Sequence, residues 1–368
     1  MPTQASIQVS SPIQRTARVQ QVEGLFDLQP AESTGQAWEV SLPLDDRPWS
    51  IGLIVGPSGC GKSTIARTLW PDQVHTAFPW PAQETILDAF PPDMSVKDIV
   101  MLLSSVGLSS PPAWLRPFHV LSTGQQFRVT LARLLAEHPD LAVMDEFTSV
   151  VDRTVAQIGS AALAKTVRAR GQRFIAVTCH EDVEAWLNPD WTYRPDSDSF
   201  AWRFLQRRPA IKLEIQRVHH SAWELFKPHH YLDTNLHRSA HCFAAFWAGR
   251  PVAFSAWMHA LSRAGGKREH RTVTLPDYQG VGIGHALSTH IAALWKALGF
   301  RATSTTTHPA FIAARRRDRN WIMTRNPSLA ASHERFIRHA TTRLTAGFEY
   351  VGPPLDKTIA SKLFHGPP

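Results

Sequence analysis

One nine-residue stretch limits this chain more than any other. Gly56-Pro57-Ser58-Gly59-Cys60-Gly61-Lys62-Ser63-Thr64 satisfies G-x-x-x-x-G-K-[ST] immediately after the apolar run Trp49–Val55. Glycines let main-chain N–H groups approach phosphate oxygens, and the helix that follows adds the positive end of its dipole. Lys62 is placed to bridge β- and γ-phosphates, and Ser63 to hold Mg²⁺. Such a loop needs a buried strand before it and a helix behind it. Two further apolar runs, Leu141–Met144 and Arg173–Thr178, complete a βαβ pattern. The fold class is therefore α/β.

Leu141–Met144 ends in Asp145-Glu146, putting two carboxylates at the C-terminal edge of a buried strand, where ligands bind in such sheets. Asp145 would steady the Mg²⁺ and Glu146 would polarise the water that attacks the γ-phosphate. Helical spacing covers Ser95–Val106 and Gln125–Glu137, with the breaker-rich Gly107–Pro117 between them, so a small helical insert is expected there. Upstream of the carboxylates lies Leu121-Ser122-Thr123-Gly124-Gln125-Gln126. Downstream come Thr148-Ser149-Val150-Val151-Asp152 and, after the third apolar run, His180.

Taken in order, these motifs resemble the ABC-type ATPases over roughly residues 18–206. Ser122, Gly124 and Gln125 match the signature sequence, with Thr123 in place of its usual second glycine; Thr148–Asp152 matches the D-loop and His180 the switch histidine. The resemblance implies ATP and Mg²⁺ as ligands and an ATP-dependent homodimer, in which Ser122 and Gly124 of one protomer close on nucleotide held by the other. Gln83 is the candidate for the Mg²⁺-sensing glutamine, although it follows Lys62 more closely than the family places it. Phe26 and Trp38 are candidates for stacking on adenine. The interval between Lys62 and Ser122 is short for a transporter motor, whose larger helical subdomain docks membrane subunits.

At 368 residues the chain is too long for one ordinary core, and two domains are expected, divided near Gln206 after the proline-bearing stretch Asn188–Pro209. Residues 1–17 read as a polar extension. Three cysteines without disulfide or zinc spacing suit a reducing compartment, and no apolar run is long enough for a signal peptide core or a membrane span, so a cytoplasmic protein with no membrane partner is expected. Charge divides unevenly. Residues 1–205 carry 16 Lys/Arg and 22 Asp/Glu, whereas residues 206–368 carry 23 Lys/Arg and 9 Asp/Glu with 14 of the 18 histidines. A positive field confined to one half suits a polyanionic partner, and nucleic acid is the expected one for residues 207–368. Seventeen of the 23 positive residues are Arg, which also fits gene base composition, and some must serve any anionic cofactor.

The basic half offers a hairpin, Ala240–Trp247 and Val252–His259, then a strand Arg271–Leu275, a glycine-rich loop, a helix His285–Leu298, a strand Arg301–Thr306 and a last strand Leu344–Val351. The loop reads Gln279-Gly280-Val281-Gly282-Ile283-Gly284, a spacing that is not the dinucleotide fingerprint. Gln279, Gly282 and Gly284 match [QR]-x-x-G-x-[GA], so this half resembles the GNAT acyltransferases, whose main-chain amides grip the pyrophosphate of acyl-CoA. The resemblance implies an α+β acyltransferase domain over residues 207–368 that uses acetyl-CoA. Tyr231, His230 and His308 are candidates for its acid–base chemistry, each also readable as a structural or surface residue. The densest basic run, Arg315-Arg316-Arg317-Asp318-Arg319-Asn320-Trp321, fits a nucleic-acid backbone first, with a solvated helix face or the CoA 3′-phosphate as the alternatives.

The combination resembles a fusion family with phage-encoded members. The expected activity is ATP hydrolysis together with N-acyl transfer on or at nucleic acid. Alternatives are a protein or small-molecule N-acetyltransferase with ATP-switched dimerisation, and a DNA-bound ATP switch whose acyltransferase fold is inactive.

Overall fold

The computed structural model describes residues 4–203, 210–231, 235–260, 265–329 and 344–365. The division expected near Gln206 falls outside them. Two compact units emerge, each assembled from several segments. The first comprises Met1–Phe78, His138–Ser149 and Val167–Arg207; the second comprises Pro79–Glu137, Val150–Thr166 and Arg208–Pro368. Compactness thus assigns the helical insert and the signature segment to the second unit, whereas the linear division groups them with the phosphate loop.

In the first unit, β1 (Gln4–Pro12) pairs antiparallel with β2 (Ser33–Ser41), the Cα of Ile7 opposite that of Trp38. Residues 1–17, expected as a polar extension, therefore supply a strand. Its weak alternation leaves Ile7 as its one buried side chain, which is why the pattern was not legible as strand. A six-stranded sheet follows in the order β4 (Val74–His75), β5 (Leu141–Met144), β6 (Arg173–Thr178), β3 (Ile51–Val55), β7 (Trp191–Arg194), β8 (Ser199–Trp202). All its pairings are parallel except β7 with β8. β3 and β5 are buried along their whole length, as unbroken apolar runs in a parallel sheet require. Ile54, Ile65, Leu69, Val143, Ile175 and Trp191 share the core, each fully buried aliphatic contributing roughly 1.5–3 kcal/mol.

The second unit holds a seven-stranded sheet in the order β14 (Trp321–Leu329), β15 (Leu344–Tyr350), β13 (Arg301–Thr306), β12 (Gly266–Thr274), β11 (Arg250–His259), β10 (His241–Trp247), β9 (Glu214–Val218). Only β12 and β13 run parallel, and they pair over just three residues, Gly266–Arg268 against Arg301–Thr303. Beyond that point the two strands part. β10 turns into β11 through Ala248 and Gly249, both at positive φ, the two-residue hairpin that fits strand twist. Pro251 sits opposite Phe246 at a register shift, where a missing N–H is tolerated. The helix Ile283–Ala297 lies on the sheet, burying Leu287, Ile291, Leu294 and Trp295. Ile158, from the helix Arg153–Arg170, is buried in the same core. The insert contributes helices Val96–Ser105 and Thr123–Glu137, close to the expected ranges. No helix among the described residues is long and apolar enough to cross a membrane.

Candidate functional site

The helix Lys62–Leu69 begins at Gly61, whose φ of 94° and ψ of 4° are left-handed, and no side chain caps it. Its first amides are thus free to receive an anion, the condition a phosphate loop must meet. A Cβ at Gly61 would lie 2.4 Å from the Trp38 ring, so the position admits glycine alone. Trp38 Nε1 donates to the Cys60 carbonyl at 3.1 Å, bracing the loop from β2. Phe26 is 71% exposed on the helix Ala17–Phe26. Lys62 Nζ reaches the Pro57 carbonyl at 2.7 Å, and Gly56, Ser58, Gly59 and Thr64 complete the loop.

Two of the predicted Mg²⁺ residues are brought together. Ser63 Oγ donates to Asp145 Oδ1 at 2.9 Å, while Arg67 Nη2 holds Asp145 Oδ2 at 3.2 Å. Asp145 is only 2% exposed, so its carboxylate is poised on the phosphate-loop serine rather than in solvent. Glu146 follows with φ of 55°, a conformation costing a non-glycine residue about 1–3 kcal/mol and typical of functional sites. Its N–H donates to Asp145 Oδ1 and its Oε2 accepts from Ser149 Oγ at 2.7 Å. At the end of β6, Thr178 Oγ1 donates to the Phe147 carbonyl and accepts from the His180 N–H, tying His180 to the turn that follows Glu146. Gln83, the third candidate Mg²⁺ residue, is exposed and belongs to the segment Pro79–Glu137 of the other unit. Arg67 stands one helical turn beyond Ser63 on the same helix, a spacing present in the sequence, and its reach to Asp145 is set by the fold.

In the second unit, Ser122 is exposed at the start of the helix Thr123–Glu137; its N–H donates to Gln125 Oε1 at 3.1 Å and its Oγ accepts from the Gln125 N–H at 3.4 Å. Gly124 packs on Val155, where a Cβ would come within 3.4 Å of its methyls. Further along the helix, Arg128 is fully buried and its Nη2 donates to the Asp277 carbonyl at 2.9 Å, just ahead of the glycine-rich loop. Burial pushes this guanidinium down to about 10, with the Asp277 and Asp152 carboxylates opposing.

The same loop meets the insert directly. Gln279 Oε1 accepts from the Ser109 N–H at 2.8 Å, and its Nε2 donates to the Thr274 carbonyl at 2.9 Å. A Cβ on Gly280 would lie 2.9 Å from the Cα of Gly107. Gly282, at φ 93° and ψ 11°, starts the helix Ile283–Ala297 without a side-chain cap, nearly reproducing the Gly61 geometry. Val281 and Ile283 flank it, and Gly284 packs under Thr274 and Phe311.

The three acid–base candidates are neighbours. His230 stacks on Tyr231 with ring centroids 5.6 Å apart, and Tyr231 lies 6.1 Å from His308. The Tyr231 hydroxyl shares a hydrogen bond with Thr307 Oγ1 at 2.7 Å. His308 Nε2 bonds the Ser109 carbonyl at 3.0 Å, which fixes the proton on Nε2, and burial holds its pKa below the ordinary histidine value against that bond. Arg315 departs from the expected basic surface. It is fully buried, with Nη2 bonded to Glu269 Oε2 at 2.6 Å and Ser288 Oγ at 2.8 Å. Only Arg316, Arg317 and Arg319 of that run are exposed. Helical phase decides: in the helix Pro309–Arg317, Arg315 falls on the face turned to the sheet.

Comparison with known proteins bears on the nucleotide site. No family model matches the chain. It is 30% identical over 208 residues to the aliphatic sulfonates import ATP-binding protein of Streptomyces avermitilis, covering 50% of this chain and 75% of the relative. It is 31% identical over 182 residues to the Fe(3+) ions import ATP-binding protein of Pseudomonas fluorescens, spanning 40% of this chain and only half the length of that relative. A solved dimeric ATP-binding cassette bound to ADP and Pi is 18% identical with a TM-score of 0.35, covering 45% of this chain and 89% of that one. With its phosphate loop, paired carboxylates and signature segment in that family's order, the chain belongs to the ABC-type ATP-binding proteins.

Proposed function

We propose that the protein is an ATP-hydrolysing ABC-type ATPase joined to an acyl-CoA-dependent N-acyltransferase that acts on nucleic acid. The observation that carries the second activity is the pair of uncapped helix starts. Gly61 and Gly282 begin their helices at φ 94° and 93°, the first in a nucleotide phosphate loop. An anion-receiving start recurring beside two parallel strands that part after three paired residues supports a pyrophosphate-binding cleft. The sulfonate- and iron-import relatives support ATP binding; the basic second half supports the acceptor.

At the ATP site, Lys62 and the loop amides would hold the phosphates, Ser63 and Asp145 the Mg²⁺, and Glu146 would orient the attacking water with His180 beside it. Ser122 and Gly124 would meet nucleotide of a second copy, making the dimer ATP-dependent. At the other site, Gln279 to Gly284 would seat acetyl-CoA, which supplies the acyl group. The acceptor amine forms its bond to the acyl carbon as the C–S bond breaks, and the amine proton must leave while the sulfur gains one. His308 Nδ1, buried without a hydrogen-bond partner among the described residues, is the acceptor-only nitrogen of a neutral imidazole, and Tyr231 is the hydroxyl able to return a proton.

One observation favours the inactive-fold alternative: Gln279 and His308 are both engaged with Ser109. Incubating the protein with labelled acetyl-CoA and separate pools of duplex DNA, RNA and protein, with and without Mg-ATP, tests the reading. Label entering nucleic acid supports it. Label in protein alone moves the acceptor to protein, and no label in any pool, with no acetyl-CoA binding, leaves an ATP-switched binding module.

A further inference from the structure

The glycine-rich loop of the second half is held by the same elements that carry the ATPase signature. Three contacts meet within Asp277–Gly280, at the start of the loop. Arg128, on the helix begun by Ser122-Thr123-Gly124, donates to the Asp277 carbonyl at 2.9 Å. The Ser109 N–H donates to Gln279 Oε1 at 2.8 Å. Gly107 lies so near Gly280 that a Cβ on Gly107 would stand 2.7 Å from the Gln279 carbonyl oxygen and 3.0 Å from Arg128 Nε. A fourth contact reaches the far side of the cleft, where His308 bonds the Ser109 carbonyl at 3.0 Å. The insert is fixed in turn by Thr166 Oγ1, which donates to the Ser105 carbonyl at 3.0 Å. Arg128 is fully buried and its Nε has no partner among the described residues, so a side chain costly to bury is kept where it grips the Asp277 carbonyl.

We infer that Arg128 and the Gly107–Ser109 turn are positioning residues that make occupancy of the signature segment and the shape of the Gly280–Gly284 loop interdependent. The inference rests on the proposed reading of both sites. Ser122 and Gly124 stand at the exposed end of the helix and Arg128 less than two turns away, so a displacement that seats one end on nucleotide is delivered rigidly to Asp277. Packed elements of this kind move between discrete arrangements and do not absorb the shift. By linkage the effect is reciprocal: whatever nucleotide does to donor affinity, donor does to nucleotide affinity by the same factor.

The test uses the full chain carrying Glu146→Gln, so that nucleotide is retained. Hydrogen exchange of the peptide spanning Asp277–His285 and acetyl-CoA affinity by calorimetry are measured with and without Mg-ATP. Mg-ATP is expected to change exchange across that peptide and to shift the acetyl-CoA Kd by about 5- to 150-fold. Gly107→Ala, which wedges the turn off the loop, is expected to remove both responses while leaving Mg-ATP binding. Unchanged exchange and unchanged Kd, with acetyl-CoA bound in both states, overturn the coupling and leave the donor-loop reading standing. An exchange response without acetyl-CoA binding in either state keeps the coupling and removes the donor. A response that survives Gly107→Ala overturns the route assigned to it.

Discussion

Arg315 and Glu269 form a buried salt bridge of 2.6 Å at the residue where β12 and β13 cease to pair. Ser304, next along β13, donates to the same carboxylate oxygen, so one ion pair pins the two strands at the mouth of their divergence. Burial alone would raise the Glu269 pKa, but Arg315 and the hydroxyls of Ser304 and Thr272 more than offset it and hold the carboxyl below its ordinary value.

Removing one member of such a pair strands the other. Arg315→Met should destabilise the second unit by about 3–5 kcal/mol, and the double variant with Glu269→Gln should recover much of that loss. Urea unfolding followed by tryptophan fluorescence reads both. A double variant no more stable than the single one would mean that packing of the Arg315 stem, not charge, holds the strands.

Glu146→Gln should lower the ATP hydrolysis rate by about 10²–10⁴-fold with little change in Mg-ATP affinity, because the glutamine keeps the shape of the side chain and loses its basicity. Asp145→Asn should instead weaken Mg²⁺-dependent binding. A steady-state phosphate-release assay and nucleotide titration separate the two effects; undiminished hydrolysis in Glu146→Gln would move the catalytic role elsewhere.

Acid should unfold the second unit first. Burial is the leading cause lowering the pKa of His229, His241, His270, His285, His290 and His308, to about 4 for His241 and His270. Their folded values lie below the unfolded value of about 6.5, so the unfolded chain binds more protons between the two. Stability is therefore intact above pH of about 6.5 and lost as pH falls toward 4. His241, 3.2 Å from Lys267 Nζ, is the sharpest case, and His241→Gln should make the melting temperature less steep in pH. A melting temperature flat between pH of about 7 and 5 would contradict the assignment.

If Arg316 and Arg317 touch a phosphate backbone, replacing both by Ala should flatten the slope of log K against log salt by about 1.8 for duplex DNA. Arg315 is excluded from that count because it is buried. A salt titration by fluorescence anisotropy reads the slope, and an unchanged value would assign the pair to a solvated helix face.

Continuous apolar strands and glycine-governed turns were legible in the sequence because each carries its own local physics. Leu141–Met144 and Arg173–Thr178 match their expected bounds residue for residue, as does the threonine-rich Arg301–Thr306. Gly266–Arg268 did not read as strand, since Gly266 and Lys267 break the apolar alternation; Lys267 is nonetheless 2% exposed, its ammonium set over the rings of Trp295 and Phe300. A cation buried against aromatic faces leaves no period in a sequence. Ser63 and Asp145 could be paired in advance because motif order implies the pairing. Arg128 with Asp277, and Ser109 with Gln279, join residues 149 and 170 positions apart, and no local pattern encodes such contacts.

The composition of the second unit bears on how these halves can be recombined. Residues 79–137 and 150–166 are part of it, and Ile158 is buried among its strands and main helix. A fragment begun at residue 208 would expose the apolar surface that Ile158 covers and lose the partners of Asp277 and Gln279. Transplanting the basic half onto another ATPase is therefore a graft of three segments, and a recipient given residues 208–368 alone, without the Gly107–Ser109 turn, would hold it with its glycine loop untethered.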